Sequence, residues 1–380
     1  MKWETYKLKQ LCSEIVDCVN KTAPTSDVPT PYKMLRTSDI REGKINLENL
    51  NCVTKEVYEK WTRRGKLQKG DVIFTREAPL GEVGLVREEK NYFLGQRLVL
   101  FRANNKMCDG RFLMYSLLWH DNKQAIISKG VGSTVAHLRV PECENIEIKA
   151  PDLDIQHRIA DILSAYDDLI ENNQKQIKLL EEAAQRLYKE WFVDLHFPGH
   201  ENTKIVDGVP EGWRRGLLKE LISVNYGKDH KKVPDDGNIP VYGSGGLMRK
   251  CNKSLFSGEA VLIPRKGSLN NIMYVDETFW TVDTMFYATM KQPHTTVFVY
   301  FFVKAFDMYS MNIGAAVPSM TAKILDAMDV VIPDKETLEK FDKRAKLYFN
   351  KIKTLQGQNE RLKTARDLLL PKLMSGEVEV

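Results

Sequence analysis

Residues 151–192, PDLDIQHRIADILSAYDDLIENNQKQIKLLEEAAQRLYKEWF, decide how this chain is read. After Pro151 the larger residues fall at Ile155, Ile159, Ile162, Tyr166, Leu169, Asn173, Ile177, Leu180, Ala184, Leu187 and Trp191. Gaps of three and four, with one stutter, make a heptad stripe, the pattern of a long helix whose seam calls for another helix. Asp152 is placed to cap its start and Pro198-Gly199 to stop it. Some 40 residues at ~1.5 Å each make a rod of roughly 60 Å. A helix that long either lies along its own globular domain or buries its stripe on a second helix. The second is the expectation here.

The stripe recurs 182 residues later. Val131-Gly132-Ser133-Thr134-Val135 resembles Ile313-Gly314-Ala315-Ala316-Val317, and without a gap Pro151-Asp152 then meets Pro333-Asp334. The second stripe runs Leu338, Phe341, Ala345, Tyr348, Ile352, Leu355, Asn359, Leu362, Ala365, Leu369 and Leu373, with Pro371 in its last turns and Ser375-Gly376 closing it. Upstream, GDVIFTREAPLGEVGLV from Gly70 resembles GEAVLIPRKGSLNNIMYV from Gly258, and Trp3…Leu8 resembles Trp213…Leu218. Three matched segments in one order imply two copies of a half-length unit, each a divergent globule followed by a helix. The globules read as mixed α/β, with β-rich runs at 71–75, 83–86, 98–101, 260–264 and 286–290 between turn-rich segments. The apolar run Val297–Val303 is a buried strand or a short core helix.

Composition narrows the class. The chain has 380 residues, enough for two domains, and 56 Lys+Arg against 51 Asp+Glu give it net +5. That balance permits an anionic partner without requiring one. Charge is uneven: 25 basic against 19 acidic residues in 1–150, but 5 against 10 in 151–197, so the first helix suits protein better than phosphate. No apolar run approaches the ~20 residues of a membrane span. The start, MKWETYKLKQ, has no apolar core of a secretory signal, and six scattered cysteines without a CxxC pair suit reduced thiols in the cytoplasm.

Catalytic signatures do not surface. The chain carries neither a glycine turn with an Asn/Asp-Pro-Pro-aromatic loop for base methylation, nor a GxxxxGK[ST] phosphate loop, nor HExxH or GxSxG. Pro151-Asp152 and Pro333-Asp334 open like a metal-nuclease motif, but their matched places at the helix heads argue for capping. Tyr242-Gly243-Ser244-Gly245-Gly246 lacks a following helical lysine and reads as a turn or recognition loop.

The segment 151–192, with the matching tail RDLLLPKLMSGEVEV, resembles the conserved regions of type I restriction-modification specificity subunits. The order of the repeats covers the whole chain. The resemblance implies an α+β fold: two similar target-recognition domains, at 1–150 and 198–333, joined by two long antiparallel coiled-coil helices, at 151–197 and 334–380, in a pseudo-two-fold repeat. It implies a non-catalytic chain that binds a bipartite double-stranded DNA target and docks two modification subunits. Those subunits would hold S-adenosylmethionine, and restriction subunits would supply ATP- and Mg-dependent cleavage. A specificity partner of a type IIB or fused type IIG enzyme is the neighbouring reading. A scaffold with no sequence reading is the unrelated one.

Base readers must be long, polar and carried on loops. In the first domain Arg36, Thr37, Ser38, Arg63, Arg64, Arg76, Gln96 and Arg97 qualify. In the second the candidates are Lys228, His230, Lys231, Lys232, Ser244, Arg265, Lys266, Thr281 and Asp283. Arg76 and Arg265 weigh most, because each follows the repeated Gly-acid-β run. The competing reading of any one arginine is a solvated surface charge. His137 and Ser319, in equivalent places after Gly132 and Gly314, are further candidates for DNA contact. Asn359, shifted back by 182, falls at 177, so it and Asn173 straddle position 175 and would face each other in an antiparallel pair, setting its register.

Overall fold

Each globule is built on a strand covered on both faces. In the computed structural model, which describes residues 2–131, 136–311 and 319–380, the run Val72–Thr75 is buried throughout. Its side chains alternate between two cores, as a period of two requires. Val72 and Phe74 join Val99 and Phe101 on one side, while Ile73 joins Val16, Leu98 and Leu100 on the other. Phe256–Pro264 does the same in the second half: Val261 and Ile263 share a core with Phe286, and Ala260 and Leu262 share one with Phe279 and Met285.

Contacts divide the chain into two compact units, residues 1–172 with 358–380, and residues 173–357. In the first unit β1 is Glu4–Lys7, β2 Cys12–Asp17, β3 Lys33–Leu35, β4 Val72–Thr75, β5 Val83–Leu85, β6 Tyr92–Leu94, β7 Leu98–Ala103, α1 Gly110–Leu118 and β8 Glu147–Ala150. Its main sheet runs β2-β7-β4-β5, all antiparallel, and β1 pairs with β8 just before helix α2, Leu153–Tyr188. In the second unit β9 is Arg214–Leu217, β10 Ile222–Tyr226, β11 Ile239–Gly243, β12 Gly246–Cys251, β13 Phe256–Pro264, β14 Met273–Thr281, β15 Met285–Met290, α3 Thr296–Lys304 and β16 Asp329–Ile332. Here the order β10-β15-β13-β14 repeats the first sheet, and β9 pairs with β16 just before helix α4, Lys335–Ser375. The two units therefore share one strand order. The second adds the hairpin β11–β12, joined to β14 by a short parallel pairing.

The sequence repeat is thus a structural repeat, although its Gly132 and Gly314 segments lie outside the described residues. The run at 297–303 is helical: α3 turns seven of its nine residues into the core. Asp334 caps α4 as expected, accepting from the Thr337 backbone N–H at 2.9 Å and its hydroxyl at 2.7 Å, and from Trp213 Nε1 at 3.0 Å. Burial raises the Asp334 pKa, but these donors outweigh it and hold the carboxyl below its ordinary range. Gly376, at φ 77°, ends the helix in the left-handed region.

Every member of the α4 stripe from Leu338 to Leu373 is buried or half-buried, but Leu338, Phe341 and Ala345 enter the core of the second unit and Leu373 that of the first. The α2 stripe needs correction in one stretch. Leu169 is 51% exposed, while the neighbouring Leu163, Asp167 and Ile170 face inward. The inward Asp167 accepts a hydrogen bond from Tyr115 Oη at 2.5 Å and pairs with Arg366. A buried carboxylate so partnered holds a seam position that the apolar pattern assigned elsewhere. The first helix also ends sooner than Pro198-Gly199. It widens into a π-helical turn at Lys189–Val193, and Leu195 takes φ 60°.

In each unit the ends of α2 and α4 enter the core. Ile159, Ala160 and Leu163 share the first core with Leu373 and Met374. In the second, Tyr188 and Trp191 pack on Phe341, with ring centroids 6.3 and 5.8 Å apart. All six cysteines are free thiols. Burial pushes the Cys12 thiol up to about 12, whereas Lys33 Nζ, 2.9 Å from Cys52 Sγ, lowers that thiol. Among the described residues no helix is long and apolar enough to cross a membrane, and no group of three or more His, Cys, Asp or Glu could hold a metal ion.

Candidate nucleic-acid interface

At the end of the central strand, each unit places an arginine in the same backbone frame. The Arg76 N–H donates to the Arg97 carbonyl at 2.8 Å, and its own carbonyl accepts from Leu138 at 3.0 Å. The Arg265 N–H donates to the Thr284 carbonyl at 2.8 Å, and its carbonyl accepts from Met320 at 2.9 Å. The following residues extend the match, for Glu77 bridges to His137 and Lys266 to Ser319. The repeat thus brings His137 and Ser319 to equivalent places beside the two arginines.

The side chains are held by different chemistry. Arg76 pairs with Asp17 at 3.0 Å and donates to the Leu138 carbonyl at 3.2 Å. Arg265 donates to the Asp283 carbonyl at 2.8 Å and stacks over Tyr226 and Phe286, 4.9 and 5.1 Å from their centroids. Both leave a buried Nε without a hydrogen-bond partner among the described residues. Each guanidinium is therefore engaged within its own unit, as an anchor would be.

Around Arg76 the structure gathers several other candidates. Arg64 donates to the Cys18 carbonyl at 2.9 Å, and exposed Arg97 reaches Glu77 at 3.4 Å. Gln96 Oε1 accepts from Thr22 at 2.9 Å. Arg36 lies at the same edge, because the Gly95 N–H donates to the Leu35 carbonyl at 2.9 Å. A Cβ at Gly95 would stand 2.3 Å from that oxygen, so the approach requires glycine. Arg36 grips Asp39 with Nε and Nη2 at 3.1 and 3.0 Å, which raises its pKa. Thr37 is half-buried, Ser38 is exposed with its hydroxyl 3.3 Å from Asp39, and Arg63 is exposed.

In the second unit Arg265 holds the Asp283 carbonyl, Lys266 bridges to Ser319, and Ser244 lies against Gly267 of the same turn. The Lys228 N–H donates to the Thr281 carbonyl at 2.9 Å, and Asn271 donates to the Ser244 carbonyl at 2.8 Å. His230 sits beside Arg249, which donates to the Val233 carbonyl at 2.9 Å, and Lys231 and Lys232 are exposed next to it. Thr281 is corrected as a reader. Its side chain is fully buried, because a strand residue between β11 and the core turns inward. Tyr226, Arg249 and the exposed pair Leu247 and Met248 were not anticipated. Apolar and aromatic residues, and an arginine whose guanidinium is hydrogen-bonded to backbone carbonyls, give no signal on a criterion of long, free, polar side chains.

Away from these ends, each unit has a groove against its long helices. One of about 670 Å³ is lined by Arg87, Arg111, Tyr115, His157, Ser164 and Asp168. The other, of about 610 Å³, is lined by Glu181, Tyr274, Lys304, Phe349, Asn350 and Lys353. Asp168 and Asn350 occupy places 182 residues apart, so the grooves too belong to the repeat.

A family model described as type I restriction modification DNA specificity domain matches residues 1–182 and 210–364. The type I restriction enzyme MjaIX specificity subunit of Methanocaldococcus jannaschii is 25% identical over 356 residues, covering 82% of this chain and 78% of that one. The HindI specificity subunit of Haemophilus influenzae is 21% identical, covering 90% and 94%. Among solved structures, the S subunit of a type I restriction-modification system from M. genitalium superposes with a TM-score of 0.64 at 20% identity, covering 98% of this chain and 96% of that chain.

Proposed function

Because this chain belongs to the type I restriction-modification DNA specificity family, we propose that it reads a bipartite DNA target, one half-site per unit, and carries no catalytic step itself. The observation that supports this most is the repeated arginine frame: two like sheets present Arg76-Glu77-His137 and Arg265-Lys266-Ser319 at the same strand end. A half-site of a few base pairs read in a groove gives about 1–3 kcal/mol per good bidentate contact, so two readers multiply discrimination. The remaining candidates at these ends would supply phosphate contacts that set register.

In this reading α2 and α4 form an antiparallel coiled coil that spaces the two readers, with Asn173 and Asn359 facing each other as its register pair. The matched grooves and the acidic α2 suit the docking of two modification subunits. Those subunits would hold S-adenosylmethionine and methylate adenine, and restriction subunits would bind ATP and Mg and cleave, all within the cytoplasm. The test is methylation mapping by single-molecule sequencing in cells carrying this chain with its modification subunits. Methylated adenines in one two-part motif, lost when the chain is deleted, are expected. A motif that persists without the chain, or affinity equal for all duplexes, would overturn the reading in favour of a scaffold.

A further inference from the structure

The hairpin β11–β12 carries an unusual tip. Its turn, Gly243-Ser244-Gly245-Gly246, is followed directly by Leu247 and Met248, which are 56% and 54% exposed. Apolar side chains at a loop tip lose free energy to water unless something covers them. The backbone presents them by design. Tyr242 pairs with Leu247 but Val241 pairs with Arg249, so Met248 is the extra residue of a β-bulge, a device that re-aims a side chain. The Met248 thioether lies across Gly243, where a Cβ would come within 2.4 Å of its sulfur. Any other residue at 243 would move the methionine.

The surroundings say what the tip meets. Ser244 lies against Gly267, where a Cβ would stand 2.6 Å from the Ser244 hydroxyl, so the tip is beside the Arg265-Lys266 turn. Residues 228–253 carry six Lys and Arg against three Asp, and Lys228, Lys231, Lys232, Lys250 and Lys266 are exposed. An apolar point flanked by cations complements a polyanion with an apolar interior, which is duplex DNA. Leu and Met are among the side chains that proteins press between base steps, unstacking them and kinking the duplex.

We infer that Leu247 and Met248 form an apolar wedge pressed against a base step of the half-site read by residues 173–357. The inference rests on the DNA-reading function proposed above and adds to it a shape-sensing element. The step it meets is deformed, so sequence is selected by how easily that step opens.

The full chain, alone and assembled with its modification subunits, is titrated with duplexes of the mapped target that carry 2-aminopurine at each position in turn. The wild type raises fluorescence at one step of that half-site. Leu247→Thr/Met248→Thr, which keeps strand propensity, abolishes the rise and weakens binding about 10- to 100-fold. Its salt dependence is unchanged because no phosphate contact is lost. Leu247→Phe retains the rise. Lys266→Ala lowers the salt slope and leaves the rise in place. A double variant that keeps both affinity and fluorescence overturns the wedge. So does one that binds DNA normally but no longer assembles, since the tip would then be a protein contact. If the wild type binds every duplex alike, the DNA-reading function itself fails, and the wedge with it.

Discussion

Arg76 and Arg265 answer one structural demand with an ion pair in the first case and an aromatic stack in the second. Both guanidinium groups are spent inside their units, so Ala substitution is expected to lower the thermal midpoint, by about 1–3 kcal/mol of stability. Each variant should also relax only its own half-site, through displacement of Leu138 or Asp283, whose carbonyls the two guanidinium groups hold. Competition binding with duplexes mutated in each half, beside a melting curve, checks this. A relaxed half-site with an unmoved midpoint would mean that the arginine itself touches bases, and a uniform loss with a salt slope lower by about one would mean phosphate. Asp334 gives a second prediction. Its pKa is lowered in the folded chain, so it stabilises above the ordinary carboxylate range, and that stability is lost as pH falls through that range toward its folded pKa. Asp334→Asn keeps a capping oxygen but should flatten the acid limb of a midpoint-against-pH plot, whereas Asp334→Ala costs about 1 kcal/mol at neutral pH.

At the scale of elements, the long helices were legible because a heptad pattern survives wherever apolar residues supply the contacts. The α4 stripe is covered along its whole length for that reason. In α2 the pattern failed where Asp167 replaces an apolar residue, since a satisfied buried carboxylate looks like a surface charge in sequence. Asn173 is also buried, and in the proposed register it is retained for specificity rather than stability. Asn173→Leu is therefore expected to keep the fold and raise the thermal midpoint, and a large loss of stability on melting would count against that role. The proposed helical spacer makes a geometric prediction. Four residues inserted after Lys178 add ~6 Å of helix. At 3.4 Å per base pair this is roughly two extra base pairs between unchanged half-sites. Methylation mapping at the original spacing, with undiminished efficiency, would show that another element sets the distance.

For the molecule as a whole, the repeat was visible in sequence mainly where the chain enters its helices, and the shared strand order completes it. The sites were less legible. Residue type located the strand ends, but burial removed Thr281, and the turn that exposes Leu247 and Met248 depends on a one-residue register shift that no periodicity encodes. Because each unit carries its own cores and its own arginine frame, replacing residues 1–150 with the matching segment of a relative should change one half of the methylated motif and leave the other intact. Changes in both halves, seen by the same mapping, would mean that the units do not read independently.

The first unit has a further peculiarity: it is assembled from residues 1–172 and 358–380, and Leu373 and Met374 lie fully inside its core. On the ribosome, the N-terminal domain of most proteins closes while the rest is still being made. Here the earliest-made sheet must wait for a complete core until the last turns of α4 emerge. The second unit, one uninterrupted stretch, is free to close first. Any chain that lacks the last turns of α4 would carry a finished second unit and an open first one, whose uncovered apolar residues are what chaperones and proteases recognise.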